Sequence, residues 1–127
     1  FLGRISEPIK WVCCFDVGLL PTYFKGESLP MTVLEYLSCG KPVIASDRGS
    51  IKDMLTFKGK QAGILLDIQG DSHESVAKLH RAMLAYVKNK NILKRHSKLA
   101  VQCFDKFDIQ RIAAEYELLF RNQLDER

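Results

Sequence analysis

Three short apolar runs constrain this chain more than any other feature: residues 15–21 (FDVGLLP), 41–46 (KPVIAS) and 62–67 (AGILLD). Each is apolar nearly throughout instead of alternating, and a strand of that kind has to be covered on both faces, as in a parallel sheet. Helix signals fill the gaps between them. Residues 7–14 (EPIKWVCC) read as a short helix. A second helix is predicted from Pro30 to about Cys39, with proline in its first turn, Val33, Leu34 and Leu37 on one side, and Gly40 just past its end. Residues 50–56 predict another short helix. Strands and helices alternating in this order specify an α/β class, a Rossmann-like, doubly wound parallel sheet.

The second half of the chain reads as a helical tail. Asp71 and Ser72 precede a helix in which Val76, Leu79, Met83, Tyr86 and Val87 recur at helical spacing, with Asn89 and Asn91 flanking its end. A further helix covers about residues 92–104. The last runs over 109–123, with Ile109, Ile112, Ala113, Tyr116, Leu119 and Phe120 on one stripe. These stripes are expected to pack against the sheet and against each other. A chain of 127 residues with 46% hydrophobic content fills one core, and no linker or repeat divides it, so residues 1–127 are expected to form one domain. The sequence opens on Phe-Leu-Gly-Arg with no initiator Met and no signal-peptide pattern, so it is expected to start in mid-protein. No apolar run approaches the roughly 20 residues that span a bilayer.

The polar residues exclude several classes of chemistry. Cys13, Cys14, Cys39 and Cys103 have neither zinc-site spacing nor the density of a secreted scaffold, and read as reduced thiols in a cytoplasmic protein. His73, His80 and His96 are scattered over helices and read as surface or half-buried side chains, so no metal is expected. The net charge of +4 comes from basic residues concentrated after position 50. Solvated helix faces account for that excess; the alternative is attraction to anionic lipid, as in peripheral membrane association, or to substrate phosphates. Aromatics do not interleave with the basic residues, which argues against nucleic-acid binding.

Residues 20–35 (LPTYFKGESLPMTVLE) carry the chemistry, because they place a strand end, a loop and a helix N-terminus together. In open α/β sheets ligands gather at the carboxyl ends of strands. The unpaired first-turn amides and the helix dipole make the backbone around Leu29, Met31, Thr32 and Val33 a natural pocket for a diphosphate. Pro30 contributes no N–H. Glu27 lies in the loop before the helix and Glu35 about two turns in, roughly 12 Å apart if all eight steps are helical. A carboxylate at each end of a diphosphate site suits the hydroxyls of a nucleotide sugar.

Glu27, seven intervening residues and Glu35, followed by Cys39-Gly40-Lys41-Pro42-Val43-Ile44-Ala45-Ser46-Asp47 and Gly49, resemble the donor-site signature of family-four retaining glycosyltransferases of the GT-B fold. The similarity extends from Phe1-Leu2-Gly3 through Phe15-Asp16-Val17 and Pro21 to Gly63 and Asp67, with a weaker helical tail. The resemblance implies the C-terminal, donor-binding half of a GT-B enzyme lacking its first strands, with the acceptor domain upstream. It implies that Glu27 acts at the donor sugar beside the reacting carbon and that Glu35 holds the ribose. Ser28, Leu29, Pro30, Met31 and Thr32 would line the diphosphate and sugar. It further implies hexose transfer with retention to a glycan or lipid-linked acceptor, without metal or cofactor, in polysaccharide biosynthesis. Ser28-Leu29-Pro30 departs from the family's Gly-rich run at that point and is read as tuning of the donor pocket.

Two rival classes stay open at this level: a noncatalytic nucleotide-binding or partner-docking module, and a sugar-nucleotide epimerase of related fold. Glu27 and Glu35 could instead be solvated charges, the latter paired with a lysine. Asp47, Gly49 and Ser50 either line the pocket or only build the turn and cap the next helix. Tyr23 and Phe24 could touch a base or sugar, whereas Trp11 is expected to be buried against the sheet. Missing upstream strands should leave a sheet edge or apolar patch uncovered, through which the chain self-associates.

Overall fold

The computed structural model describes residues 3–70 and 72–125. Phe1, Leu2 and Asp71, which figure in the sequence argument, lie outside them. The elements in order are α1 (Pro8–Val12), β1 (Gly18–Leu20), α2 (Met31–Ser38), β2 (Val43–Ser46), α3 (Ile51–Met54), β3 (Thr56–Phe57), β4 (Lys60–Gln61), β5 (Gly63–Leu66), α4 (His73–Lys88), α5 (Lys90–Phe104) and α6 (Ile109–Asp125), with a 3-10 turn at Asp105–Phe107 before α6. The three apolar runs form one parallel sheet in the order β1-β2-β5, with Leu19 beside Ile44 and Ile44 beside Ile64.

Both faces of β2 are buried, which is why its sequence does not alternate. Val43 and Ala45 face a core built with Val33 and Leu37 of α2, Ile51 and Met54 of α3, and Ala100 and Cys103 of α5. Ile44 faces the other side, with Leu66, Ile68, and Ala82 and Tyr86 of α4. Helices therefore cover the sheet from both sides, as expected of a doubly wound arrangement.

Residues 55–61 depart from the sequence reading, which gave this stretch no strand. They form a tight antiparallel hairpin, β3 pairing with β4. Lys58 and Gly59 both have positive φ, at 48° and 74°, the backbone of a two-residue hairpin turn. At the next junction Asn89 marks a start as well as an end, since its side-chain carbonyl accepts the amides of Asn91 and Ile92 and caps α5.

Several expected contacts are not made. The buried face of α4 is Ser75, Leu79, Ala82 and Tyr86, whereas Val76, Met83 and Val87 are exposed. Small residues at 75 and 82 let the helix approach the sheet closely and rotate the larger residues off that line. Trp11 is also 48% exposed, because the single turn of α1 offers one inward position and Val12 occupies it. The stripe on α6 does not pack as expected: Ile109, Tyr116, Leu119 and Phe120 are all more than half exposed. His96, expected on or near the surface, is buried and bonded through Nδ1 to the Tyr86 hydroxyl at 2.8 Å. Burial depresses the His96 pKa, with Arg95 adding to the effect, and burial raises that of Tyr86.

The outer edge of β1 has no strand partner among the described residues. Beside it Phe15, Leu19, Met83 and Val87 stand exposed around a cleft of about 470 Å³. No helix among the described residues is long and apolar enough to cross a membrane.

Candidate functional site

β1 ends at Leu20, and residues 21–30 carry the chain across the carboxyl end of the sheet to the start of α2. The loop opens with two local bonds, Thr22 N–H to the Leu20 carbonyl and Phe24 N–H to the Thr22 hydroxyl. Its far end is fastened to the turn that follows β2. The Glu27 carbonyl accepts the Ser50 N–H at 2.8 Å, and the Ser50 hydroxyl donates to the Ser28 carbonyl. Gly49 has φ 51°, and a Cβ there would lie 2.0 Å from the Glu27 carbonyl oxygen. Gly49 and Ser50 build the turn and seat the Glu27 loop, but the expected cap on α3 is not made: the Ser50 hydroxyl goes to Ser28 and caps no amide of that helix among the described residues.

Helix α2 begins at Met31 with Pro30 in extended conformation before it, and no side chain caps it. The Pro30 carbonyl accepts the amides of Val33 and Leu34. Met31 and Thr32 are left as the open first-turn donors, at the positive end of a helix with no acidic residue in its first turn. Val33 and Leu37 are fully buried, four residues apart, and fix the inward face of the helix. Met31, Glu35 and Ser38, four and then three residues apart, lie on a face turned away from that core. The sequence thus places Glu35 on the line of the open Met31 amide, about 6 Å along the axis.

Glu27 and Glu35 are both partly exposed. Neither carboxylate has a lysine or arginine partner among the described residues, so the pairing of Glu35 with a lysine considered above is not made. Leu29 and Met31 are 49% and 63% exposed and Phe24 65%, so the helix tip is an open shelf bordered by apolar side chains rather than a walled cavity. Ser28 lies exposed on the same shelf, and Pro30 and Thr32 are partly covered.

The sequence reading passed over Arg48. Its Nη2 donates to the Ile68 carbonyl at 2.6 Å, tying the end of β2 to the residues after β5. Its Nε and the Ser46 hydroxyl are buried without a partner among the described residues. A lone arginine between Asp47 and Gly49 was the available signal. The other end of α2 carries a thiol pair: Cys39 Sγ lies 2.9 Å from Cys13 Sγ on the residue after α1, and both are free cysteines. The adjacent Cys39 thiol, with some burial, pushes the Cys13 thiol pKa up.

The family described as "Glycosyl transferases group 1" matches residues 1–86. A chitobiosyldiphosphodolichol beta-mannosyltransferase of Candida albicans is 32% identical over 71 residues, which cover 55% of this chain and 15% of that protein. The sucrose-phosphate synthase of Thermosynechococcus elongatus superposes on all of the chain with a TM-score of 0.78 at 21% identity, over 30% of its own length. That last likeness is one of fold. The chain spans 15% and 30% of the lengths of these two proteins.

Proposed function

The chain belongs to the group 1 glycosyltransferases, and on that premise we propose that it is the donor-binding domain of an enzyme that transfers a hexose from a nucleotide diphosphate sugar. The observation that carries this reading is the uncapped start of α2, whose open Met31 and Thr32 amides fall in the chain between Glu27 and Glu35, two carboxylates with no cationic partner among the described residues. The diphosphate sits on those amides, with Ser28, Leu29 and Pro30 bordering the shelf. Glu35 accepts hydrogen bonds from the ribose, and Glu27 contacts the sugar beside its reacting carbon. As the glycosidic bond breaks, negative charge grows on the leaving diphosphate, where fixed amide dipoles need no reorganisation to stabilise it.

The rest of the proposal concerns the whole protein. An acceptor domain supplied by further sequence holds a glycan or lipid-linked hydroxyl, and transfer proceeds with retention and without a metal ion, in polysaccharide biosynthesis. The enzyme works in the cytoplasm, peripheral to the membrane. This chain alone binds donor weakly, transfers little, and self-associates through the open β1 edge at high concentration, which sedimentation would detect.

Isothermal titration of nucleotide sugars and their nucleoside diphosphates tests the site, with Glu35→Ala as the control. The proposal expects a saturable heat that the variant weakens. Equal heats from parent and variant would count against it, and product analysis on the full-length enzyme decides the stereochemistry.

A further inference from the structure

A second cleft, of about 630 Å³, opens at the opposite end of the sheet and is lined by Lys52, Thr56, Lys60, Gln61, Arg95 and His96, among others. Gly63, at its base, opens β5 and pairs with Val43, which opens β2, so this cleft lies at the amino ends of the strands. The α2 tip lies at their carboxyl ends, about 13 Å away along a four-residue strand.

The charge around this cleft is one-sided. Its lining contains three cations and no carboxylate. The two segments that face each other across it, the hairpin at residues 56–61 and α5, contain Lys58, Lys60, Lys90, Lys94, Arg95 and Lys98 and not one Asp or Glu. Four cations away from the cleft, Lys10, Lys78, Arg111 and Arg121, each meet a glutamate three or four residues away. Lys52, Lys60 and Arg95 have no such partner among the described residues. The nearby acid on α3, Asp53, is exposed and does not line the cleft, and Lys106 is held by the Asp53 and Thr56 carbonyls. Like charges brought together around a concave surface repel one another, and an anion bridging them relieves that repulsion. Neutral groups suit the same ligand. The Gln61 amide and the His96 ring both line the wall.

We propose that this cleft binds a phosphate-bearing anion larger than orthophosphate, gripped between the hairpin and α5 by Lys52, Lys60 and Arg95. The site is separate from the α2 tip and does not rest on the donor-binding reading. The ligand is either a free polyphosphate or the phosphate of a lipid headgroup, and two arms of one experiment distinguish them.

In the first arm, tripolyphosphate is titrated into the ¹⁵N-labelled chain at constant ionic strength. Saturable shifts are expected at the amides of Thr56, Gly59, Gln61 and His96. Lys60→Gln/Arg95→Gln should lower the affinity by about ten-fold or more, since it removes two charge-assisted contacts. Arg81→Gln/Lys88→Gln, which removes the same charge from α4, should leave it within about two-fold of the parent. In the second arm, vesicles of phosphatidylglycerol and phosphatidylcholine are compared with phosphatidylcholine alone by flotation. Capture by the anionic vesicles that only the Lys60/Arg95 variant loses supports the site with a headgroup as ligand. Polyphosphate binding without capture supports it with a free ligand. Shifts confined to Leu29–Val33, equal losses in the two double variants, or no saturable binding in either arm overturn the proposal.

Discussion

Gly49→Ala tests whether the turn after β2 holds the Glu27 loop in place. Three separate costs are expected. An L-residue at φ 51° is in the left-handed region, which costs roughly 1–2 kcal/mol. The new Cβ would also lie 2.0 Å from the Glu27 carbonyl oxygen, where ordinary contact begins at 3.4 Å, and the obstacle is backbone that cannot rotate aside. Relieving that overlap means parting the loop from the turn, at about 1–3 kcal/mol for overpacking. The Ser50 N–H to Glu27 bond would be stretched or lost as well, at about 0.5–1.5 kcal/mol. Gly59→Ala separates the terms, because φ there is 74° and a Cβ meets nothing within 4 Å, leaving only the dihedral cost. Urea denaturation monitored by circular dichroism measures both variants, with the midpoint shift read at unchanged slope. Gly49→Ala should be the less stable of the two by at least about 1.5 kcal/mol, and amide exchange at Ser50 should quicken in that variant alone. If the two variants lose the same stability and Ser50 stays protected, the Glu27 loop is not seated on this turn.

Leu37→Ala should cost about 2–5 kcal/mol by the same denaturation measurement, because Leu37 is fully buried where α2 meets the sheet. A loss below about 1 kcal/mol would contradict that packing. Stability should fall as pH drops below 6.5, the unshifted histidine value, because burial lowers the folded pKa of His96 and the unfolded chain takes up its proton first. The loss continues until the pH passes the folded pKa, and His96→Gln should remove that step from a stability profile across the acid range. Diamide should join Cys13 to Cys39 before it engages Cys14 or Cys103, since the first two sulfurs lie 2.9 Å apart. Peptide mapping by mass spectrometry reads the linkage, and a Cys13–Cys14 product would refute the placement of α1 against α2.

The parallel sheet was legible because covering a strand on both faces leaves a compositional mark, which the runs around Ile44 and Ile64 carry; the run around Leu19 carries the same mark although Leu19 itself stands exposed. The start of α2 was legible for a similar reason: Pro30 and the Val33, Leu34, Leu37 spacing are local signals. The hairpin at residues 56–61 was not, because two-residue strands are too short for any periodicity and the turn's mark was the single dipeptide Lys58-Gly59. Helical stripes told which residues share a face without telling whether anything lies opposite. Ser75 and Ala82, which settle how α4 docks, are too small to stand out in such a stripe. On α6 the stripe is present, and among the described residues it stands exposed with no opposing surface. Within the site, the order Glu27, Pro30, Glu35 could be read along the chain. The clasp between Glu27 and Ser50 could not, because a backbone carbonyl meeting a backbone amide 23 positions later is indifferent to side-chain identity.

That clasp also explains why the segment from Glu27 to Ser50 behaves as one unit of fixed length. α2 has 8 residues and runs about 12 Å from the loop toward the far end of the sheet. Gly40, with φ 64°, reverses the chain, and the 4 residues of β2 return it by about 13 Å. The two paths nearly cancel, so the turn at residues 47–50 comes back level with the loop it left and Ser50 meets Glu27 and Ser28. A residue added to β2 would carry the turn past that loop and exchange the two faces of the strand, putting Ile44 where Val43 now packs. The spacing from Glu27 through Gly49 is therefore a condition on the helix-strand return that seats the first carboxylate. The position of Glu35 depends only on the turn of α2 that separates it from Met31.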